Sequence, residues 1–125
     1  MVLARAPHSL EPKLGDRILI YRQRWLGLVL CGKKTLEVRG VGYKSGRYFL
    51  GCGGMIYAQA HLGHPVRVEN LKHFRRHKDM HRMETEELPY KTTYLIPILS
   101  LRQIKRPYVH PRGAIGIVKY VPPRA

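Results

Sequence analysis

Apolar residues cluster in short runs or alternate with polar ones along much of the chain. Residues 17–21 (RILIY) form a compact run rich in β-favouring side chains, and residues 35–39 (TLEVR) alternate strictly. Both patterns predict β-strands. The same reasoning predicts further strands at residues 47–50, 55–62, 90–104 and 114–120.

Two other stretches show helical spacing. Residues 22–31 (RQRWLGLVLC) place four apolar side chains on or beside one helical face: Trp25, Leu26, Leu28 and Val29. Gly32 follows at the position where a left-handed residue ends a helix. Residues 69–80 are predicted to form a second helix that begins near Asn70, because asparagine is a favoured N-cap.

Glycine and proline modify the strand assignments. The Gly-rich segment 51–54 separates two predicted strands and indicates a bulge, a turn or a close backbone approach. Pro97 implies an edge position or a bulge within residues 90–104. Strands of uneven spacing with two or three short helices favour a small β-barrel of the α+β, mainly β class over a layered βαβ fold. We expect one domain over residues 16–121, with an extension at 1–15 and a tail at 122–125.

Charge points to the class of partner. The 125 residues contain 23 Lys and Arg against 8 Asp and Glu, a formal net charge of +15, and no acid follows Glu87. A solubilising surface is the alternative explanation, but a small domain needs a net charge of only about 2 to 8 for solubility. The excess therefore predicts a polyanionic partner, RNA before any membrane. No apolar run is long enough to span a bilayer.

A motif in residues 22–40 (RQRWLGLVLCGKKTLEVRG) resembles the signature of the ASCH domain, a member of the PUA-like superfamily of small β-barrels. Arg24 stands where that family commonly has proline, and SGRYFL (45–50) and GAIGIVKY (113–120) resemble two of its strands. The residues that match the signature are Gln23, Trp25, Gly32, Lys34, Thr35, Glu37 and Arg39. The resemblance implies a PUA-like (ASCH) β-barrel that binds RNA or modified bases.

The motif also suggests chemistry from its residues alone. Lys34 sits at a helix-to-strand joint, and Glu37 and Arg39 share one face of the following strand. Glu37 would orient both cations toward a phosphate or a base edge, and we expect Lys34 to remain a protonated ammonium that faces the ligand. An internal salt-bridge ladder is the alternative for Glu37, as core packing is for Trp25.

Two functions follow from this motif. The first is a non-catalytic RNA-binding module whose basic barrel groove holds RNA, alone or within a ribosomal or other ribonucleoprotein. The second is an enzyme that uses Lys34 with Glu37, because proteins similar in this motif include N4-acetylcytidine amidohydrolases and proposed ribonucleases. Glu37 stands where the amidohydrolases have a second threonine, which disfavours acyl transfer. The residues predicted to bind RNA are Gln23, Trp25, Lys33, Lys34, Thr35, Arg39, Arg47, Arg75, Arg76, Lys78, Arg102, Lys105, Arg106 and Arg112.

Histidine and cysteine give weaker signals. His73, His77 and His81 recur at helical spacing, but the surrounding Lys and Arg would repel a metal ion, so we expect no metal and no cofactor. They are predicted to lie on a solvated basic face instead. Two cysteines are too few for a disulfide scaffold and favour a reducing compartment, cytoplasmic or nuclear. The acid-free opening MVLARAPHSL leaves an organellar address open.

Overall fold

The computed structural model describes residues 9–110 and 115–123, and strands are the main regular structure among them. The strands are β1 (Arg17–Ile20), β2 (Leu36–Arg39), β3 (Gly46–Cys52), β4 (Met55–Leu62), β5 (Val66–Arg67), β6 (Tyr94–Val109) and β7 (Ile117–Lys119). The helices are α1 (Gln23–Leu30), α2 (Leu71–Arg76) and α3 (Lys78–His81). No helix in the described ranges is long and apolar enough to cross a membrane.

The strands form one curled half-barrel sheet. Their order is β2-β6-β4-β3-β1-β7, with β5 also paired to β6, and only the β1–β3 pair is parallel. The half-barrel and three helices confirm the predicted α+β, mainly β fold. The division into a domain at 16–121 with flanking segments stays a prediction.

Helix α1 packs on the sheet through the face that its sequence predicts. Leu26 and Val29 are buried with Leu19 and Leu50 in the largest apolar cluster, while Trp25 packs on its margin. Gly32 follows with φ +81°, the left-handed residue predicted at this point. Burial of side chains of this size stabilises the fold by about 1.5–3 kcal/mol each. The cluster therefore fixes α1 firmly, and with it the segment that leads into β2.

The predicted helix over 69–80 is two helices. Asn70 caps α2 as expected, because its side chain accepts a hydrogen bond from the His73 amide at 2.8 Å. The helix breaks at His77. The break accompanies burial of His81, whose ring stacks on Phe74 at 4.0 Å and whose Nε2 lies 2.7 Å from the Phe74 carbonyl oxygen. The histidines therefore do not form one solvated stripe, since His81 is fully buried.

Strand β6 is shifted relative to the prediction of 90–104. It begins at Tyr94, because residues 90–93 form a turn. The Thr93 hydroxyl donates a hydrogen bond to the Tyr90 carbonyl and accepts one from the Tyr90 amide, which holds this turn. It continues to Val109 and passes through Pro107. Among the described strands, residues 99–109 pair with β4 alone. This half of β6 is an edge, where proline is tolerated.

The glycines between β3 and β4 produce each feature that the sequence suggested. Strand β3 runs on to Cys52, and Gly53 and Gly54, with φ of +60° and +89°, form the two-residue turn of a hairpin. The register shifts at Leu50/Gly51, which is a bulge. A Cβ on Gly51 would lie 2.8 Å from His110 Nε2, so the backbone approach is close as well.

Candidate functional site

A cleft of about 750 Å³ opens where the start of α1, strand β2, the hairpin turn and residues 83–90 meet. We use "the cleft" for this space. The side chains that give it chemical character are Tyr21, Trp25, Lys34, Glu37, Arg39 and Tyr90. Four of these residues belong to the 22–40 motif, so the fold brings the central part of the predicted site together.

Glu37 lies at the bottom of the cleft and is only 3% exposed. Its Oε1 accepts the Val38 amide at 3.1 Å and lies 3.6 Å from Arg39 Nε. Its Oε2 makes no hydrogen bond of good geometry with a described residue, although the Tyr21 hydroxyl lies close enough to interact with the carboxylate. Buried polar atoms are nearly always paired, and leaving one unpaired costs about 1–3 kcal/mol. The carboxylate is therefore a buried acceptor in the wall of the cleft, next to the Tyr21 hydroxyl.

Arg39 and Tyr21 form the wall beside this carboxylate. Arg39 is fixed by a hydrogen bond from Nη2 to the Ile20 carbonyl at 2.8 Å, and its guanidinium lies 5.0 Å from the centre of the Tyr21 ring. Burial, and then the Glu37 charge, raise the pKa of Tyr21 well above its usual value. The neutral Tyr21 hydroxyl also lacks a hydrogen bond of good geometry in the described structure. A donor, an acceptor and a hydroxyl are thus held close together.

Lys34 differs from its predicted exposure. It is 2% exposed rather than on an open face, its Nζ donates to the His81 carbonyl at 2.5 Å, and it lies 5.1 Å from the centre of the Trp25 ring. Burial lowers the pKa of Lys34 to about 8, opposed by Glu37 and assisted by Arg39. The ammonium form still predominates at neutral pH, but the fraction of neutral amine is far larger than in an exposed lysine.

Trp25 is the only tryptophan of the chain and stands half-buried between the core and the cleft. The Arg24 guanidinium lies 4.6 Å from the centre of its ring. The ring packs on the core and also borders the cleft, and its role in RNA binding stays a prediction. An aromatic face of this kind can stack a planar ligand.

The other predicted RNA-binding residues lie outside the cleft. Gln23, Lys33 and Thr35 are exposed around α1 and the start of β2. Arg47 lies 3.6 Å from Asp16 in a separate depression of about 260 Å³ beside Arg17 and Lys119. Arg75 donates to the Thr85 carbonyl at 3.1 Å, and Lys78 pairs with Glu84. The remaining predicted residues are also exposed, as these two are: Arg76, Arg102, Lys105 and Arg106. Arg112 lies outside the described residues.

Sequence reasoning missed part of the cleft wall. Met83, Pro89, Tyr90 and His110 also line it. These residues are remote in sequence from the motif, and no local pattern marks them. Tyr21 could have been predicted as a cleft residue from the sequence, because it lies between the end of β1 and the start of α1. Within residues 9–110 and 115–123, no group of three His, Cys, Asp or Glu side chains could hold a metal ion.

Solved structures that share this half-barrel fold are ASCH domains. A serine-to-alanine variant of the ASCH protein from Zymomonas mobilis matches with a TM-score of 0.69 and 11% identity, over 87% of this chain and 90% of that one. The ASCH structure from the same organism matches with a TM-score of 0.62 and 14% identity, over 74% and 72% of the two chains. No protein-family model and no curated protein matches the sequence. The comparison confirms the predicted ASCH fold.

Proposed function

We propose that this protein binds RNA and that one base of the RNA enters the cleft. Three features of the cleft support a base as the occupant. Its volume of about 750 Å³ is within the usual range of small-molecule sites, Trp25 offers an aromatic face, and the polar groups of Glu37, Arg39 and Tyr21 converge. Nucleobases combine a π-face with an edge of donors and acceptors, so they match both kinds of surface.

The single observation that carries the proposal is the Glu37 carboxylate in the wall of the cleft, whose Oε2 makes no hydrogen bond of good geometry. This atom is held in place by the bonds that Oε1 makes to Val38 and Arg39, so it is fixed before any ligand arrives. An N–H on a base edge would supply that hydrogen bond after a small movement of the surrounding side chains, because Oε2 is buried in the free protein. A phosphate or a carboxylate would not, because each presents only acceptors to an atom that is itself an acceptor.

The charge of the chain supports RNA over a free small molecule. A cleft for a small molecule needs a few cations, whereas the chain carries an excess of fifteen, much of it on exposed side chains outside the cleft. Extended contact with a phosphate backbone uses such an excess. The partner in this proposal is single-stranded RNA, free or within a ribonucleoprotein, in the cytoplasm or the nucleus.

Trp25→Leu tests the base-binding part of the proposal. Leucine retains an apolar side chain against the core but removes the stacking face. We expect the affinity for a labelled 12-nucleotide single-stranded RNA to fall roughly 5- to 150-fold, because stacking on an aromatic ring is worth about 1–3 kcal/mol per base. Fluorescence anisotropy at fixed salt measures the change.

Tyr57→Leu is the matched control for this measurement. Tyr57 is a half-buried aromatic residue of β4 that packs on the same apolar cluster as Trp25 but does not line the cleft. Its replacement should cost comparable stability and leave RNA affinity within about twofold of the original. Equal losses of affinity in the two variants would show that Trp25 acts through packing, and the base-binding proposal would then be wrong.

A second candidate function is hydrolysis at Lys34, favoured by one observation. The lowered pKa of about 8 leaves roughly a tenth of Lys34 as the neutral amine at pH 7, which is the form that acts as a base or nucleophile. Against it, Nζ is already hydrogen-bonded to the His81 carbonyl and Lys34 is almost fully buried. We therefore place RNA binding first.

Incubation of the protein with N4-acetylcytidine, and separately with labelled single-stranded RNA, tests this second candidate. We expect no product in either assay. Lys34→Met serves as the control, because it retains an unbranched side chain of similar length without the amine. Product that forms with the unmodified protein and disappears with Lys34→Met would make the protein an enzyme and displace the binding-module assignment.

A further inference from the structure

The buried ring of His81 joins helix α2 to the segment that follows α3. Its Nε2 lies 2.7 Å from the Phe74 carbonyl oxygen, and its Nδ1 accepts a hydrogen bond from the Met83 amide at 3.0 Å. A carbonyl oxygen only accepts and an amide N–H only donates, so Nε2 must carry the proton and Nδ1 must have none. The two backbone partners therefore fix one neutral tautomer of the ring.

A second proton on His81 is incompatible with this arrangement. In the imidazolium ion both ring nitrogens are donors, so Nδ1 can no longer accept a hydrogen bond from the Met83 amide. The ring is also fully buried and stacked on Phe74 at 4.0 Å, so its charge would be held away from water. Protonation therefore breaks the bond that closes residues 81–83 and favours exposure of the ring.

The charges around His81 also oppose a second proton on its ring. Those that act on the ring are positive or become positive at low pH: Lys34 before β2, His77 at the helix break and Lys78 on α3. The other charged or titratable side chains of the neighbouring elements are exposed or bonded to other groups: Lys72, His73, Arg75 and Arg76 on α2, Asp79 on α3, Arg82 and Glu84 after it, and Glu37 and Arg39 on β2. Burial lowers the pKa of His81, its bond to the Phe74 carbonyl opposes this shift, and the three positive groups add to it.

The turn that His81 closes has an unfavourable backbone conformation. Arg82 has φ 66° and ψ 19°, and it is the one residue other than glycine with a positive φ in the described ranges. The left-handed region is disfavoured for residues with a Cβ, so the surrounding hydrogen bonds must hold the turn. These bonds are the one from Arg82 Nε to the Lys33 carbonyl, at 2.9 Å, and the one from the Met83 amide to His81. Because Met83 lines the cleft, relaxation of the turn changes the cleft wall.

We propose that His81 is a pH-sensitive latch of the cleft wall, whose neutral ring closes the turn at residues 81–83 and whose protonation in mildly acidic solution opens this turn and releases Met83. The proton comes from solvent and adds to Nδ1, and no other reactant is needed. In the open turn the ring is hydrated and titrates near its ordinary pKa of about 6.5, so the open fraction rises as the pH falls below this value. The latch does not depend on what occupies the cleft, so it is tested separately from RNA binding.

Hydrogen exchange of the Met83 amide, followed by NMR, tests the latch in the unmodified protein. We expect its protection factor, which is the exchange rate of an unstructured peptide at the same pH divided by the observed rate, to fall about tenfold between pH 7.5 and 5.5. The amide of Leu50, a fully buried residue of β3, is the internal reference and should keep its protection within about twofold. A change of less than about twofold at Met83, or an equal fall at both amides, would overturn the latch.

His81→Asn and its matched control His77→Asn assign the effect to one ring. Asparagine offers the Met83 amide an acceptor oxygen but does not titrate, so in His81→Asn the protection of this amide should not depend on pH. His77 is a neighbouring half-buried histidine whose ring contacts His73, and His77→Asn should retain the tenfold fall. A fall that persists in His81→Asn would contradict the proposal. If that variant does not fold, the ring ¹⁵N shifts of the original protein decide: the proton must lie on Nε2 of His81 at pH 7.5, and a proton on Nδ1 would overturn the latch.

Discussion

Lys34→Ala is expected to lower the free energy of unfolding by about 2–4 kcal/mol, because it removes a long buried side chain and leaves a cavity. The His81 carbonyl, which accepts from Nζ at 2.5 Å, also loses its partner. That carbonyl belongs to the end of α3, and the Thr35 amide donates to the Met80 carbonyl next to it. Lys34 therefore ties the start of β2 to α3, and chemical denaturation should show the loss directly.

Lys34→Met separates packing from charge. Methionine fills nearly the same volume, and removal of a buried ammonium relieves its desolvation, so stability should stay within about 1 kcal/mol of the original. A methionine variant as unstable as the alanine variant would assign the effect to the hydrogen bond with His81. If both variants matched the original protein, Lys34 would not belong to the core, contrary to its burial.

The lowered pKa of Lys34 predicts that the difference in stability between the original protein and Lys34→Met depends on pH. The pKa of Lys34 is about 8 in the folded protein against an ordinary value of 10.5, so between these values the unfolded state binds more protons. Stability contributed by this residue therefore rises with pH above about 8. Between pH 8 and 9.5 the free energy of unfolding of the original protein should rise relative to that of Lys34→Met. Comparing the two proteins removes the contribution of all other titrating groups, because both contain them.

The sequence predicts the local geometry of the cleft well, because that geometry depends on neighbours in the chain. The helical face of α1, the left-handed Gly32 and the strict alternation of β2 all follow from residues within one or two turns of each other. They place Glu37 and Arg39 on one side of β2, as the cleft requires. The resemblance of this stretch to the ASCH motif agrees with the fold that the structures from Zymomonas mobilis share.

Burial of the charged residues could not be predicted in this way. Thr35 is exposed, whereas the adjacent Lys34 is covered by Trp25 of the preceding helix and by the end of α3, which comes from a distant part of the chain. The break at His77 has a similar origin. No glycine or proline marks it, and it becomes intelligible only when His81 is seen stacked on Phe74.

The basic residues of β6 have two physical explanations that sequence alone does not separate. Lys105 and Arg106 are exposed on the half of β6 that pairs with β4 alone, next to Pro107. Charges and prolines on an exposed edge prevent pairing with another chain. Lys105 and Arg106 can therefore be explained by protection of the edge, by contact with RNA, or by both. RNA contact and edge protection predict different responses to salt.

RNA affinity is expected to fall by about 10²- to 10⁴-fold between roughly 50 and 200 mM salt, the largest effect predicted for this protein. The estimate assumes about six to ten phosphate contacts and a slope near −0.7 per contact for a single strand. The net charge of +15 is its physical basis. Anisotropy titrations with the 12-nucleotide RNA at several salt concentrations measure the slope, and an affinity that stays flat over this range would contradict RNA binding through the phosphate backbone.

The double variant Lys105→Gln, Arg106→Gln identifies which explanation holds for β6. If both side chains contact phosphates, the slope of log affinity against log salt should become shallower by about 1.4, since each contact contributes about 0.7. Lys13→Gln is the control, because Lys13 is exposed and paired with Glu11 at 3.5 Å, and it should leave the slope unchanged. An unchanged slope in the double variant, together with aggregation that rises with protein concentration, would instead assign Lys105 and Arg106 to protection of the sheet edge. Removing charge from an edge strand leaves the backbone groups on its open side accessible to a second chain.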